Sequence, residues 1–195
     1  MALLKSVAPA EIGPVINGDL VRLRLPVTSD YAAWAELRSV SREFLTPWEP
    51  SWTRNELTRL SFRRRVRHYV REAREDLGYA FFMFRRSDDA LLGGLTISNV
   101  RRGVTQSGTL GYWVGAPYAR RGYMSAGIVT LLPFVFDTLR LHRLEAACLP
   151  HNEASMRLLE KSGFQREGLA RRFLRINGIW QDHLLYAMLH DDPRP

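Results

Sequence analysis

The sequence predicts an α/β fold in which helices flank one mostly antiparallel sheet of about seven strands. Three observations support this prediction. Several short segments alternate apolar and polar residues, as strands do, and segments with helical periodicity separate them. The chain also closes on two strand-like segments joined by Asn177 and Gly178, a dipeptide that favours the two-residue turn of a β-hairpin. This order of elements is typical of a mixed sheet with helices on its faces.

Composition and charge limit the class of protein. The 195 residues are 46% hydrophobic, which is enough for one domain with a substantial core. The net charge of +8 favours acidic partners, such as nucleic acid or phosphorylated cofactors, without choosing among them. A single cysteine excludes an internal disulfide and a cysteine-rich zinc site, so we expect a reducing cytoplasm. The apolar uncharged stretch over 122–136 has 15 residues and includes a proline, whereas a membrane-spanning helix needs about 20.

The elements follow from the pattern along the chain. We expect a loose leader over residues 1–17, one domain over 18–190 and a short tail over 191–195. A first strand over 18–26 precedes a helix with Ser29 or Asp30 as its cap. The later elements are strands over 79–85, 91–100, 108–115 and 142–150, helices over 122–139 and 152–164, and the closing hairpin.

A further helix is predicted from Thr53 to about Asp76, because Thr53 and Glu56 have the spacing of a capping box. Its apolar stripe faces the core, and its other side carries several arginines. The arginines central to the argument are Arg63, Arg67 and Arg71. They form either a solvated basic face or a surface that contacts RNA.

The stretch GYWVGAPYARRGYMSAG, residues 111–127, passes from a strand into a helix without an acidic residue. The first N–H groups of a helix are unpaired and carry partial positive charge, so a phosphate binds there favourably. Gly122 leaves the backbone accessible, and Arg120 and Arg121 add positive charge. The corner is therefore either a pyrophosphate site or a tight turn. It lacks the glycine and lysine patterns of a Walker loop or a Rossmann turn.

Several motifs follow one another in the order of a known family. They are PWEP at 47–50, ISNVRRG at 97–103, LGYWVG at 110–115, RGYM at 121–124, HRLEAACLPHNEASMRLLEKSGFQREG at 142–168 and NGIWQDHLLYAML at 177–189. The series resembles the Gcn5-related N-acetyltransferase (GNAT) superfamily, in particular its branch that acetylates alanine or serine N-termini of ribosomal proteins. The corner departs from the general signature Gln/Arg-x-x-Gly-x-Gly/Ala, with Ala119 at its first position and Met124 at its last.

This resemblance implies a GNAT fold with two splayed strands at an acetyl-CoA site. It implies that acetyl-CoA gives its acetyl group directly to a primary amine, with no metal ion. The implied cofactor-binding residues are Trp113 and Val114 on the splayed strand, Arg120, Arg121, Gly122, Tyr123, Met124 and Ser125 at the corner, and Asn152 on the next helix.

The predicted catalytic residues are Ser155, whose role the resemblance implies, and Glu49, the preferred acidic group near the substrate. The Ser155 hydroxyl would protonate the departing thiolate, since the position where many relatives have a tyrosine is Leu159 here. Glu49 of PWEP would bind the substrate ammonium, with Asp182 and His183 as alternatives. Purely local roles are the competing interpretation: Asn152 and Ser155 begin a helix, and Glu49 is a solvated loop carboxylate.

The leading functional hypothesis is acetylation of a ribosomal protein's N-terminus, with ribosome or RNA contact through the arginines above. Relatives often carry a glutamate base at the position of Thr109. An α-amino group, with a pKa of about 8, needs less help from a base than lysine at about 10.4. Two alternatives remain open: acetylation of a small amine such as an aminoglycoside, polyamine or amino acid, and a CoA-binding or RNA-binding module without turnover. The oligomeric state is not predicted.

Overall fold

The computed structural model describes residues 13–195, which form a single sheet of eight strands. In chain order these are β1 (Val15–Asn17), β2 (Val21–Arg24), β3 (Tyr79–Arg85), β4 (Leu91–Arg101), β5 (Ser107–Val114), β6 (Arg143–Cys148), β7 (Gln165–Ile176) and β8 (Ile179–Leu189). Their order in the sheet is β1-β2-β3-β4-β5-β6-β8-β7, and only β5 and β6 pair in parallel. The predicted α/β class with a mostly antiparallel sheet is confirmed, with eight strands rather than about seven.

Helices cover both faces of the sheet. They are α1 (Tyr31–Val40), α2 (Arg42–Leu45), α3 (Arg59–Arg74), α4 (Tyr123–Pro133) and α5 (Glu153–Lys161). A π-helical turn, Phe134–Thr138, extends α4. Within residues 13–195, no helix has both the length and the apolar character needed to cross a bilayer.

The extra strand lies in the segment predicted to be a loose leader. Val15 pairs with Arg24 and Asn17 with Arg22, so β1 extends the sheet beyond β2. Ile16 packs against the main core. Three residues are too few for an alternating pattern to stand out in the sequence. The first 12 residues of the predicted leader lie outside the described part of the chain.

The predicted start of α3 at Thr53 is wrong. The helix begins at Arg59, where the Thr58 hydroxyl accepts a hydrogen bond from the Ser61 amide at 3.3 Å. Residues 54–57 form a turn instead. The Glu56 carboxylate accepts a hydrogen bond from the Thr53 hydroxyl at 3.4 Å, but its other oxygen binds the Arg65 guanidinium, outside the predicted capping box. A capping residue nearer the apolar stripe and a distant ion pair therefore override the local signal.

The predicted cap of α1 is also different in detail. Asp30 occupies the N-cap position but makes no side-chain capping bond. Its carboxylate accepts hydrogen bonds from Arg24 at 2.6 and 2.8 Å and from the Val27 amide at 2.8 Å. Asp30 therefore fastens the entry to α1 onto β2 rather than capping the helix.

Two apolar clusters lie on opposite faces of the sheet. On one face, Phe81 and Met83 of β3 pack in the cluster that includes residues of α4 and α5. On the other, Phe82 and Phe84 pack with residues of α1 and α3. Because both faces are covered, β3 is apolar at nearly every position instead of alternating.

The sheet opens between β5 and β6. The two strands pair only from Ser107 with Arg143 to Leu110 with Ala146. Beyond Leu110, β5 continues along β4 as far as Val114, while β6 continues along β8. The strands therefore separate into a wedge, as the predicted GNAT fold requires, and the wedge determines where a ligand can enter the sheet.

Candidate active site

A cleft of about 670 Å³ lies at the open end of the wedge. Its walls are the segment after α2, the end of β5, the corner before α4, and the first turns of α4 and α5. It is lined by all the predicted site residues: Glu49, Trp113, Val114, Arg120, Arg121, Gly122, Tyr123, Met124, Ser125, Asn152 and Ser155. The structure thus brings them together in one place, and their individual roles stay predictions.

The backbone of β5 presents unpaired groups to the wedge. The Gly115 amide, just after β5, donates a hydrogen bond to the Leu92 carbonyl oxygen of β4 at 2.8 Å. Hydrogen-bonding direction alternates along an antiparallel strand, so Trp113 also bonds toward β4. The N–H and C=O groups of Tyr112 and Val114 therefore point the other way, into the wedge. Of the two predicted residues on this strand, Val114 offers its backbone to a ligand and Trp113 offers its side chain.

The corner before α4 has the geometry of an anion site. The first hydrogen bond inside α4 runs from the Ala126 amide to the Gly122 carbonyl oxygen at 3.0 Å. The amides of Tyr123, Met124 and Ser125 precede it and have no acceptor within the helix, and no side chain caps the helix at Gly122. These three donors and the positive end of the helix dipole fit a phosphate or pyrophosphate group.

Two neighbouring arginines add charge to this corner. Arg120 and Arg121 line the cleft, and neither forms an ion pair or a hydrogen bond with any residue of the described chain, 13–195. Arg120 has a φ of 60° and Gly122 a φ of 80°, so the chain reverses sharply between β5 and α4. A Cβ at Gly122 would have no protein atom within 4 Å. The space above this glycine is therefore open to a ligand.

A pair of hydroxyl groups lies deeper in the wedge. The Ser155 amide donates to Oδ1 of Asn152 at 3.1 Å, so the predicted capping contact exists. The Ser155 Oγ lies 2.5 Å from the Tyr112 hydroxyl, and Ser155 is only 8% exposed. Burial raises the pKa of the Tyr112 phenol, and the hydrogen bond with Ser155 offsets part of this rise. The phenol therefore stays protonated at neutral pH.

Tyr112 is a site residue that the sequence analysis missed. The resemblance assigned the cofactor contacts of this strand to Trp113 and Val114 instead. The alternation of β5 held a usable signal, since Leu110, Tyr112 and Val114 share one side of the strand. The position where many relatives have a tyrosine offers no hydroxyl here, because it is Leu159. This leucine is fully buried in the core.

Glu49 lines the cleft, but its carboxylate is already bound. Arg38 donates to both carboxylate oxygens at 2.6 Å, and Trp52 Nε1 donates to Oε2 at 2.9 Å. The Arg38 guanidinium lies over the rings of Trp52 and Trp113, at 4.3 and 5.0 Å from their centroids. Glu49 is thus held beside the cleft by Arg38, a residue that the sequence analysis did not identify.

We expect Glu49→Ala to destabilise the fold by about 3 kcal/mol, because it leaves the Arg38 charge buried without its partner. The Arg38 side chain is 9% exposed and that of Glu49 is 21%, which favours the low end of the cost of breaking a buried pair. Urea denaturation measures the loss. The control is Glu153→Ala, whose partner Arg157 is 78% exposed and whose loss should cost below about 0.5 kcal/mol. Equal effects of the two substitutions would contradict the prediction.

Asp182 and His183, the predicted alternatives to Glu49, do not line the cleft. Asp182 accepts a hydrogen bond from the Arg172 amide at 2.8 Å. His183 is buried, with Nδ1 3.0 Å from the Gln181 carbonyl oxygen. Within residues 13–195, no three histidine, cysteine, aspartate or glutamate side chains are grouped so that they could hold a metal ion.

The splayed strands and the anion site at the start of α4 define an acetyltransferase of the GNAT type. The model of the family described as Acetyltransferase (GNAT) domain matches residues 21–165, so the chain belongs to this family. This confirms the family that the sequence predicts.

Three similar proteins illustrate the family membership. A probable N-acetyltransferase of Bacillus subtilis (strain 168), YjcK, is 32% identical over 178 residues, which cover 91% of this chain and 98% of that protein. The [ribosomal protein uS5]-alanine N-acetyltransferase of Escherichia coli (strain K12) is 30% identical over 176 residues, or 89% and 91% of the two chains. The structure of Mycobacterium smegmatis RimJ in complex with CoA-disulfide aligns with a TM-score of 0.82 at 34% identity, covering 91% of this chain and 86% of that one.

Proposed function

We propose that this protein transfers the acetyl group of acetyl-CoA to the N-terminal amine of a protein, and that its substrate is the alanine or serine N-terminus of a ribosomal protein. The observation that carries the proposal is the cleft itself, where an anion site, an unpaired strand edge and a buried hydroxyl pair meet. The Escherichia coli relative, named for ribosomal protein uS5 and alanine, supports the choice of acceptor.

In this proposal each part of the cleft has one task. The free amides at the start of α4, with Arg120 and Arg121, bind the pyrophosphate of acetyl-CoA. The wedge-facing groups of Tyr112 and Val114 bind its pantetheine arm, with Asn152 beside it. Acetyl-CoA supplies an activated acetyl group: the amine nitrogen bonds to the thioester carbonyl carbon, the carbon–sulfur bond breaks, and the electron pair goes to sulfur. Ser155 donates a proton to that sulfur. The attacking nitrogen, which becomes a positively charged ammonium when it bonds to carbon, releases its proton to water.

The charges near the cleft favour an N-terminal amine as acceptor. Its two lining carboxylates are engaged, Glu49 by Arg38 and Glu153 by Arg157, so neither is a free base. At pH 7 about a tenth of α-amino groups with a pKa of about 8 are already neutral, against about four lysines in ten thousand. An acceptor that deprotonates readily therefore matches a cleft without a free base, and a polycationic acceptor matches it poorly.

We expect a peptide with a free N-terminal alanine or serine to be acetylated with a kcat/KM at least about a hundredfold above that of the same peptide with a blocked N-terminus and one internal lysine, following the ratio of neutral amines. Steady-state assays with acetyl-CoA measure this ratio. Spermidine and an aminoglycoside serve as comparison acceptors. Rapid acetylation of either, with none of the free peptides, would replace the proposal by small-amine acetylation.

The ribosomal part of the proposal has a separate test in cells. Deleting the gene should remove one acetyl group from the N-terminus of one ribosomal protein, which lowers the mass of that protein by about 42 Da. Mass spectrometry of purified ribosomes detects it. An unchanged set of ribosomal N-termini, together with peptide acetylation in vitro, would keep the N-terminal acetyltransferase and reject the ribosomal substrate.

The arginine face of α3, defined as Arg63, Arg67 and Arg71, supports contact with ribosomal RNA. All three residues are exposed. Arg63 and Arg67 form no ion pair or hydrogen bond within residues 13–195, and Arg71 contacts the His68 ring at 3.3 Å. Arg65, which is half-buried on the same helix, pairs with Glu56 instead. The exposed charge is therefore available to a phosphate backbone.

Reversing the charge of Arg63, Arg67 and Arg71 to glutamate should weaken association with ribosomal subunits, because each lost phosphate contact lowers the slope of log affinity against log salt by about one. Peptide acetylation should stay within about twofold. Sedimentation with ribosomal subunits over a range of salt concentrations measures the affinity and its salt dependence. The steady-state assay above measures peptide acetylation. The matched control reverses three exposed arginines on other elements, Arg140, Arg166 and Arg171. Equal weakening by both triple variants, or none by either, would leave the face simply solvated.

A further inference from the structure

The contact between Tyr112 and Ser155 joins two elements that are distant in sequence. Tyr112 lies on the part of β5 that has left β6, and Ser155 lies in the first turn of α5, 43 residues later. Their hydroxyl oxygens are 2.5 Å apart, and both residues line the cleft. The wedge therefore contains a hydrogen-bonded pair of hydroxyl groups where its two strands diverge.

Either hydroxyl can donate in this hydrogen bond, and the choice decides which proton is left over. Within residues 13–195, the Tyr112 hydroxyl hydrogen-bonds to Ser155 and to no other group. If Ser155 donated, the phenol proton would be left over, and it would have no acceptor within the described residues. If Tyr112 donates, its proton is satisfied and the Ser155 proton is free. Only the second arrangement leaves the Ser155 proton available to a ligand in the cleft.

The surroundings of Ser155 direct its free proton toward the cleft. Burial raises the pKa of the nearby Cys148 thiol, so it stays protonated and does not attract the Ser155 proton as a thiolate would. A serine oxygen accepts two hydrogen bonds and donates one. With the phenol donating from β5, the Ser155 oxygen keeps its own O–H, and the open side next to it is the cleft that Ser155 lines.

We propose that Tyr112 is a positioning residue that holds the Ser155 hydroxyl with its proton directed at the sulfur of the departing coenzyme A. This inference rests on the proposed role of Ser155 and adds a residue to it. When the carbon–sulfur bond breaks, its electron pair moves to sulfur and Ser155 supplies the proton. The proton that the ammonium releases to water restores Ser155, so atoms and charges balance. Tyr112 stays neutral throughout and stabilises the charge that develops on the Ser155 oxygen.

A double-mutant cycle tests this inference, because Tyr112→Phe removes one oxygen and keeps the ring. We expect Tyr112→Phe to lower kcat about three- to tenfold, the range of one hydrogen bond, with the KM for acetyl-CoA within about twofold. In a Ser155→Ala background the same substitution should have no further effect on kcat. Tyr79→Phe is the control: it also removes a half-buried phenol, bonded to Asp76 at 2.9 Å, but lies outside the cleft and should leave kcat unchanged.

The rates are measured with the best amine acceptor and, without amine, as release of CoA from acetyl-CoA by water. Each reaction breaks the same carbon–sulfur bond. An equal loss from Tyr112→Phe with serine or alanine at 155 would overturn the inference, since the phenol would then act through the fold. So would a kcat within twofold of wild type. CoA release without peptide acetylation would reject the proposed acceptor. The double-mutant cycle could still be measured from the rates of CoA release.

Discussion

Gly122→Val is expected to raise the KM for acetyl-CoA about a hundredfold in a protein that still folds. Gly122 precedes α4 with a φ of 80°, a conformation that costs a β-branched residue about 1–3 kcal/mol. The new side chain would also occupy the open space beside the three free amides of α4, where the pyrophosphate is proposed to bind. Each lost hydrogen bond to a charged group is worth about 1.5–3 kcal/mol, so one or two suffice for the effect.

Gly103→Val separates the two causes. Gly103 has a φ of 66° and no protein atom within 4 Å of its would-be Cβ, like Gly122, but it lies in the loop between β4 and β5, outside the cleft. It should cost a similar amount of stability and leave the KM for acetyl-CoA unchanged. Steady-state kinetics with urea denaturation of both variants decides. An unchanged KM in folded Gly122→Val would remove this residue from the cofactor site.

Ser155→Ala is expected to lower kcat about tenfold to a hundredfold and to change the KM for acetyl-CoA by less than about threefold. The hydroxyl acts on charge that exists only while the carbon–sulfur bond breaks, so its loss appears in turnover. General acid catalysis is worth about a hundredfold to ten-thousandfold, and a thiolate is a good leaving group, which favours the low end or below. The capping bond survives the substitution, because Asn152 accepts it from the backbone amide.

Two controls accompany Ser155→Ala: one substitution at the other end of α5 and one different substitution at position 155. Ser162, at the end of α5, is fully buried and its hydroxyl has no hydrogen-bond partner within residues 13–195, so Ser162→Ala should leave kcat unchanged. Ser155→Thr keeps the hydroxyl and should retain more activity than alanine where the methyl group fits. Circular dichroism confirms folding. A kcat for Ser155→Ala within about twofold of wild type would make water the proton source.

Local patterns were sufficient to predict most of the sheet and the corner. Period-two alternation identifies the strands, and Asn177 and Gly178 adopt φ values of 43° and 82°, the positive values that the predicted turn needs. The corner glycine, Gly122, occupies the N-cap position of α4, where the sequence predicts the start of a helix. Each of these features is determined by residues within a few positions of one another.

Contacts between distant segments account for what the sequence could not predict. The engagement of Glu49 by Arg38 and the bond between Tyr112 and Ser155 both depend on how separate elements pack. The start of α3 belongs to the same category, because the choice between two threonine caps was decided partly by the partner of Glu56. Residue types indicate which side chains can react, whereas packing decides which of them are free to do so.

The wedge gives β5 an unusual property for a strand in the middle of a sheet. The amide hydrogens of Gly111 and Trp113 bond toward β4, whereas those of Tyr112 and Val114 face an open edge. Solvent deuterium should therefore replace alternate hydrogens along this strand at very different rates in the free protein. A molecule that fills the wedge would act as the missing neighbouring strand and remove the difference. The odd-and-even pattern of exchange along four consecutive residues thus reports occupancy of the wedge without any chemical reaction.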